Sequence, residues 1–169
     1  MKIIRSVPSA VLTPALRNVL ESMYFCGVYP DGGRGFSNAG IGAVVRFSGI
    51  LQANSRALPV NGAFRILVAE SVARTFAAEL LPSDPAVVSA EQVRDTVCEF
   101  ANVSCGAVLA AWMPRGEFDL AVPHQEVGSE GHLFDHWYRI DGIPGRDRSG
   151  RTRRWRVPHP PSARRRIFP

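Results

Sequence analysis

The sequence predicts an α+β fold: an antiparallel sheet with helices packed against it. Two observations carry this expectation. Residues 41–69 are rich in β-branched and apolar positions that alternate around two turn signals, Ser48-Gly49 and Asn61-Gly62. On either side of this stretch, apolar residues recur at helical spacing. Hairpins in one block with helices before and after it argue for segregated helices and strands rather than a parallel α/β fold.

Taken in order, the first element is a helix. Thr13 followed by Pro14 at the first helical position predicts a start there and a run to about Phe25, burying Leu16, Val19, Leu20 and Met23. Residues 30–40 carry four glycines and read as a loop. Three strands are expected near 41–48, 50–57 and 62–69. A second helix over 70–81 buries Val72, Phe76 and Leu80 and stops at Pro82. A third runs over 90–111. Ser89 is its N-cap, Gln92 completes a capping box, and Glu91 places a negative charge at the positive end of the helix dipole. A strand follows at 117–122, and another near 132–140 around Phe134, Trp137 and Tyr138.

A chain of 169 residues with 46% hydrophobic content is sized for one core. No apolar run reaches the roughly 20 residues needed to span a bilayer, and the stretch before Pro8 is too short for the apolar region of a signal peptide. Cys26, Cys98 and Cys105 are odd in number and lack a C-x-x-C pair. Three reduced thiols and a cytoplasmic location are the expectation. The net charge of +5 conceals two unlike parts. Residues 1–143 hold 11 basic and 14 acidic residues, a balance of −3, whereas residues 144–169 hold nine arginines and one acid, a balance of +8. We therefore divide the chain into a folded domain, 1–143, and an Arg- and Pro-rich tail, 144–169, expected to be disordered because it cannot build a core.

The candidate site lies on the third helix. At about 100° per residue, Asp95, Glu99, Asn102 and Gly106 fall within roughly 60° of one another. Val93, Val97, Phe100, Ala101, Ser104 and Val108 fall on the other side. Such a helix buries its back and presents two acids, an amide and a gap. Gly106 costs about 1 kcal/mol relative to Ala inside a helix, which makes sense where another backbone approaches closely. A solvated polar face is the plain alternative.

The order Asp95-x-x-x-Glu99-x-x-Asn102-x-x-x-Gly106, followed by Phe118 to Pro123 and Gly128, resembles the signature of the CheC/CheX/FliY chemotaxis phosphatases, in particular the CheX-like branch. Asn102 and Pro123 stand slightly closer together than is usual in that family. The resemblance covers about residues 11–135. It implies a CheC-like fold, an antiparallel sheet covered by two long helices and built from two similar halves. Glu21-Ser-Met-Tyr24 in the first helix echoes Glu99-Phe-Ala-Asn102, with Arg17 and Tyr24 in place of the first acid and the amide. One helix is then active and the other structural.

The resemblance implies a hydrolase that removes the aspartyl phosphate of a phosphorylated CheY-like response regulator in chemotaxis or two-component signalling. Asn102 would orient the attacking water, and Glu99 would pair with the regulator's lysine. Asp95 and Gly106 would serve partner binding. No cofactor or metal of its own is expected, since the regulator supplies Mg²⁺. A homodimer is an expectation of the same kind. The alternative is a CheX-like module that binds a receiver domain or another partner without hydrolysis.

Other constellations fare worse. His132 and His136, with Glu130 and Asp135 nearby, have metal-ligand spacing for a helix but sit in an expected turn and strand. Gly32-Gly-Arg-Gly lacks the Gly-Lys-Ser/Thr of a P-loop. No nucleophile elbow is present. The arginines of the tail, with Trp155, are the only nucleic-acid signal, and composition favours an unstructured extension instead.

Overall fold

The computed structural model describes residues 7–31, 40–53, 56–126 and 136–141. Helix α1 (Ser9–Tyr24) precedes strands β1 (Gly27–Asp31), β2 (Gly40–Ala53) and β3 (Arg56–Ala69). Helix α2 (Glu70–Leu80) leads to α3 (Ala90–Trp112), which precedes β4 (Gly116–Leu120), β5 (His124–Glu126) and β6 (Trp137–Asp141). A helix and three strands thus occur twice, with α2 between them. This is the two-halved α+β arrangement that the resemblance implies, with the shorter helix expected over 70–81 between the halves.

Among the described residues every strand pairing is antiparallel. β2 is flanked by β3 on one side and by β4 and β5 in succession on the other, while β1 pairs with β6. Ala43 and Val45 on β2 face the helices and join a core with Val19, Leu20, Phe76, Val97, Phe100 and Val108. Tyr24 stacks on Phe76 with centroids 4.0 Å apart, and Phe100 meets both rings edge-on at 5.9 and 5.7 Å. One ring comes from each helix, so this cluster fixes the three helices relative to one another.

The expected three strands over 41–69 are two long ones. Ser48 and Asn61 are not turns but cross-strand partners in the middle of the β2–β3 ladder. The glycines beside them serve packing. A Cβ on Gly49 would stand 2.1 Å from the Glu117 carbonyl oxygen, and one on Gly62 would stand 2.5 Å from Cζ of Phe47. Close approach, rather than chain reversal, requires glycine here.

α1 begins a turn earlier than expected. The Pro8 carbonyl accepts from the amides of Val11 (2.9 Å) and Leu12 (3.0 Å), so Pro14 lies inside the helix. On α2 the buried face is Ala73, Phe76, Ala77 and Ala78, while Val72 is half-buried and Leu80 exposed. Small residues turned toward the neighbouring helices allow close packing. The expected strand at 117–122 is broken, with β4 ending at Leu120 and residues 121–123 separating it from β5. Of the strand expected near 132–140, residues 137–141 form β6, and residues 132–135 lie outside the described residues. Glu130, His132, Asp135, Gly128, the Gly32-Gly-Arg-Gly loop and the tail 144–169 lie outside the described residues, as does the domain boundary at 143.

Candidate functional site

α3 is specified locally at its start and by packing along its length. The Ser89 hydroxyl accepts from the Gln92 amide at 3.1 Å, and the Ser89 amide donates to the Gln92 side chain at 2.8 Å. Val88 and Val93, the positions of a hydrophobic staple, are both buried. Arg74 on α2 donates to the Val88 carbonyl at 3.1 Å and pairs with Glu70 at 3.0 Å, tying the loop before α3 to its neighbour. The back of α3 is sealed. Val93, Val97, Phe100, Ala101, Ser104 and Val108 are all buried.

The outward stripe is not flat. Asp95 and Glu99 are exposed, Asn102 and Gly106 half-buried. The stripe descends toward β4, where the nearest atom to a Cβ built on Gly106 would be Cδ1 of Leu120 at 3.8 Å. That is ordinary contact, so nothing within the described chain demands glycine at 106. The amide is consequently better shielded from bulk water than the acid one turn before it. An exposed carboxylate is free to pair with a cation from outside, and a partly sheltered amide can accept from a water and donate to an anionic oxygen at once. The four predicted positions are thus brought onto one surface.

The remaining predicted chemistry does not assemble. Among the described residues no group of three or more His, Cys, Asp or Glu side chains could hold a metal ion. His136 sits at 2.8 Å from the Val7 carbonyl through Nε2, linking β6 to the segment before α1. All three cysteines are free. Burial pushes the Cys26 and Cys105 thiols up to about 11, and burial with the charge of Asp95 raises Cys98. None is an activated nucleophile. No helix of the described residues is long and apolar enough to cross a membrane.

Two residues near the stripe escaped the sequence reading. Leu120 lies beside Gly106, a contact between α3 and β4 that no local pattern announces. Tyr24 is buried against Phe100, and its phenol is raised well above the usual tyrosine range, by burial first and then by the charges of Glu99 and Cys26. The only advance signal was its place in the α1 series, where α3 carries the amide.

The family model for the chemotaxis phosphatase CheX matches residues 47–133, just over half of the 169-residue chain. The chain belongs to the CheX family. The matched span runs from β2 through β5 and contains the whole stripe, whereas α1 lies before it. Among solved structures, the chemotaxis protein CheX from Vibrio vulnificus is similar at 22% identity, over 80% of this chain and 83% of that one, with a TM-score of 0.55. CheX from Desulfovibrio desulfuricans is similar at 20% identity over 79% and 91%, with a TM-score of 0.54. A CheX–CheY–BeF₃–Mg²⁺ complex from Borrelia burgdorferi is similar at 14% identity over 78% and 86%, also at 0.54. These likenesses establish the CheC/CheX fold. No curated protein sequence matches significantly.

Proposed function

We propose that this chain hydrolyses the aspartyl phosphate of a CheY-like response regulator. The observation that carries the reading is the stripe on α3, with an exposed Glu99 one turn before a half-buried Asn102, in a member of the CheX family. The neighbour from Borrelia, which is described in complex with CheY, supports a receiver domain as the partner class.

An acyl phosphate is already reactive, so the enzyme must supply position more than covalent chemistry. The receiver brings its own Mg²⁺, and this chain needs no metal. Glu99 pairs with the receiver's active-site lysine and sets the register of docking. Asn102 then lies over the phosphoryl group. Its carbonyl oxygen accepts a hydrogen bond from the attacking water, and its NH₂ donates to a phosphoryl oxygen. Asp95 extends the complementary surface by a further turn. Gly106, bare of a side chain, leaves room for the receiver beside the amide. A partner that works in the cytoplasm places this chain there too.

The degenerate first helix, where buried Tyr24 stands in the place that Asn102 takes on α3, favours a second reading, a module that binds receivers without hydrolysis. One assay separates the two: decay of a radiolabelled phosphoryl receiver in Mg²⁺ with catalytic amounts of this chain. Acceleration by the wild type is expected. Asn102→Ala should remove on the order of 100-fold of that acceleration while leaving affinity nearly unchanged, because the amide acts in the transition state. Glu99→Ala should weaken binding and turnover together. Binding without any shortening of the phosphoryl lifetime would establish the binding module instead.

A further inference from the structure

We infer that Val122, released from the sheet by a β-bulge beside the α3 stripe, is the apolar anchor on which a receiver domain seats next to Asn102 and Gly106. The inference rests on the reading of the stripe as the receiver-docking surface.

The bulge is written in the strand register. Leu120 stands opposite Phe47, and His124 stands opposite Val44. Three residues, Ala121, Val122 and Pro123, therefore face two on β2, Val45 and Arg46. One residue is extra. Regular alternation from Leu120 would return Val122 to the helix side of the sheet. With the extra residue, Pro123 is half-buried and Val122 is 86% exposed. A bulge at a sheet edge re-aims a side chain in this way.

The segment is firmly held. The Ala121 amide donates to the Arg46 carbonyl at 2.9 Å, Pro123 fixes its own φ, and β4 and β5 are both paired to β2. Little entropy is lost when a partner covers a side chain on so constrained a backbone. Val122 is also the most exposed large apolar side chain among the described residues.

Its place is beside the stripe. Leu120, two residues earlier, supplies the atom nearest to a Cβ on Gly106, at 3.8 Å. Two residue steps cover at most about 7 Å, so Val122 stands within roughly 15 Å of Gly106. A partner that buries about 800 Å² of this chain covers a patch about 30 Å across. A receiver seated over Asn102 and Gly106 therefore reaches Val122.

The charge pattern of α3 gives that contact its character. Glu91, Arg94, Asp95 and Glu99 crowd the first half of the helix, and no charged residue follows from Phe100 to Pro114. The outward positions there are Val103, Gly106 and Ala107, half-buried, and Ala110 and Ala111, exposed. Electrostatic docking on the helix thus ends at Glu99, and beyond Asn102 the helix offers only small apolar contacts. Val122 supplies the bulk that the helix lacks. The receiver then meets an acid on one side of the amide and an apolar side chain on the other, which fixes Asn102 between two unlike contacts.

The probe is a CheY-like receiver, activated with BeF₃⁻ and Mg²⁺, that binds the wild-type chain. Because Val122 is exposed, Val122→Ala and Val122→Asp should leave Tm within about 2 °C of the wild type. Val122→Ala should weaken Kd by about 3- to 10-fold, and Val122→Asp by more than about 30-fold. Turnover at saturating phosphorylated receiver should stay within about twofold, so the loss appears in KM. The Val122→Ala loss should be equal at low salt and at about 0.5 M, whereas the Glu99→Ala loss should shrink as salt rises. Unchanged receiver binding in both Val122 variants overturns the inference, as does a Val122→Ala loss that fades with salt. So does a Val122→Asp variant that binds the receiver normally but splits a dimer of this chain, which would assign the anchor to a second copy. If Glu99→Ala leaves binding intact, the docking reading fails and this inference with it. If Glu99→Ala weakens binding and the Val122 variants do not, the docking reading stands and only the anchor is lost.

Discussion

α1 and α3 lie against each other and each opens a helix-plus-three-strand unit, yet only α3 presents an acid followed by an amide on its outer face. Both carry a glutamate that is exposed, Glu21 and Glu99. Three residues later they diverge. Asn102 stays half-exposed on the outer face, whereas Tyr24 turns its ring into the core and stacks on Phe76. Their starts differ as well. α3 has a full capping box and runs 23 residues, while α1 has no side-chain cap, runs 16 and contains Pro14. The same helical offset from a glutamate thus supports a surface amide in one half and a core aromatic in the other. Position on a helix does not decide role; the packing of that turn does.

The sharpest way to break this comparison is to place the missing amide on α1. Tyr24→Asn should destabilise the fold by about 3–5 kcal/mol in urea titration, because a small side chain with up to four hydrogen-bonding sites replaces a ring in a closed aromatic cluster. No second active helix should arise, so Tyr24→Asn combined with Asn102→Ala should not regain phosphatase activity. A double variant that folds and accelerates dephosphorylation would show that α1 differs from α3 by one residue alone.

A second test asks where the two helices are alike. Cys26, just past the end of α1, and Cys105, on α3 beyond Asn102, are both buried with thiols held up to about 11, against an ordinary 9.0. The folded chain therefore keeps protons that the unfolded chain releases. These thiols contribute stability in full below about pH 9, and it declines as the pH climbs toward 11. Replacing Cys26 or Cys105 by Ala should flatten part of the alkaline limb of a stability–pH curve by similar amounts. A flattening confined to one variant would make the two environments unlike.

The capping difference predicts a smaller effect. Ser89→Ala should lower stability by about 1 kcal/mol through loss of the box on α3. Ser9→Ala at the start of α1 should stay within about 0.5 kcal/mol, since that helix has no side-chain cap to lose. A change of opposite sign is expected at Gly106. Its alanine variant meets only Leu120, at van der Waals distance, so helix propensity should add about 0.5–1 kcal/mol of stability. Receiver affinity should fall in the same variant if the gap beside Asn102 is where the partner approaches. Unchanged affinity would reduce Gly106 to a neutral surface position.

Much of this was legible in the residues. The Ser89–Gln92 box, the alternating buried and outward sides of α3 and the grouping of Asp95, Glu99, Asn102 and Gly106 follow from helical period and short-range hydrogen bonding. The strands were harder. Ser48-Gly49 and Asn61-Gly62 have the composition of turns, but β2 and β3 run straight through them. The deciding contacts, Glu117 against Gly49 and Phe47 against Gly62, join residues distant in the sequence.

The sequence by itself determined the α+β class, the capped third helix and the chemical content of its outer stripe, because these depend on neighbours within a turn or two. Only the tertiary structure decided that Asn102 is half-buried while Glu99 is open, and that the matching turn of α1 is core. It alone left the buried Tyr24 hydroxyl without a hydrogen-bond partner. Burial and electrostatics depend on what packs against a residue from other elements, and those neighbours are chosen when the helices close over the sheet.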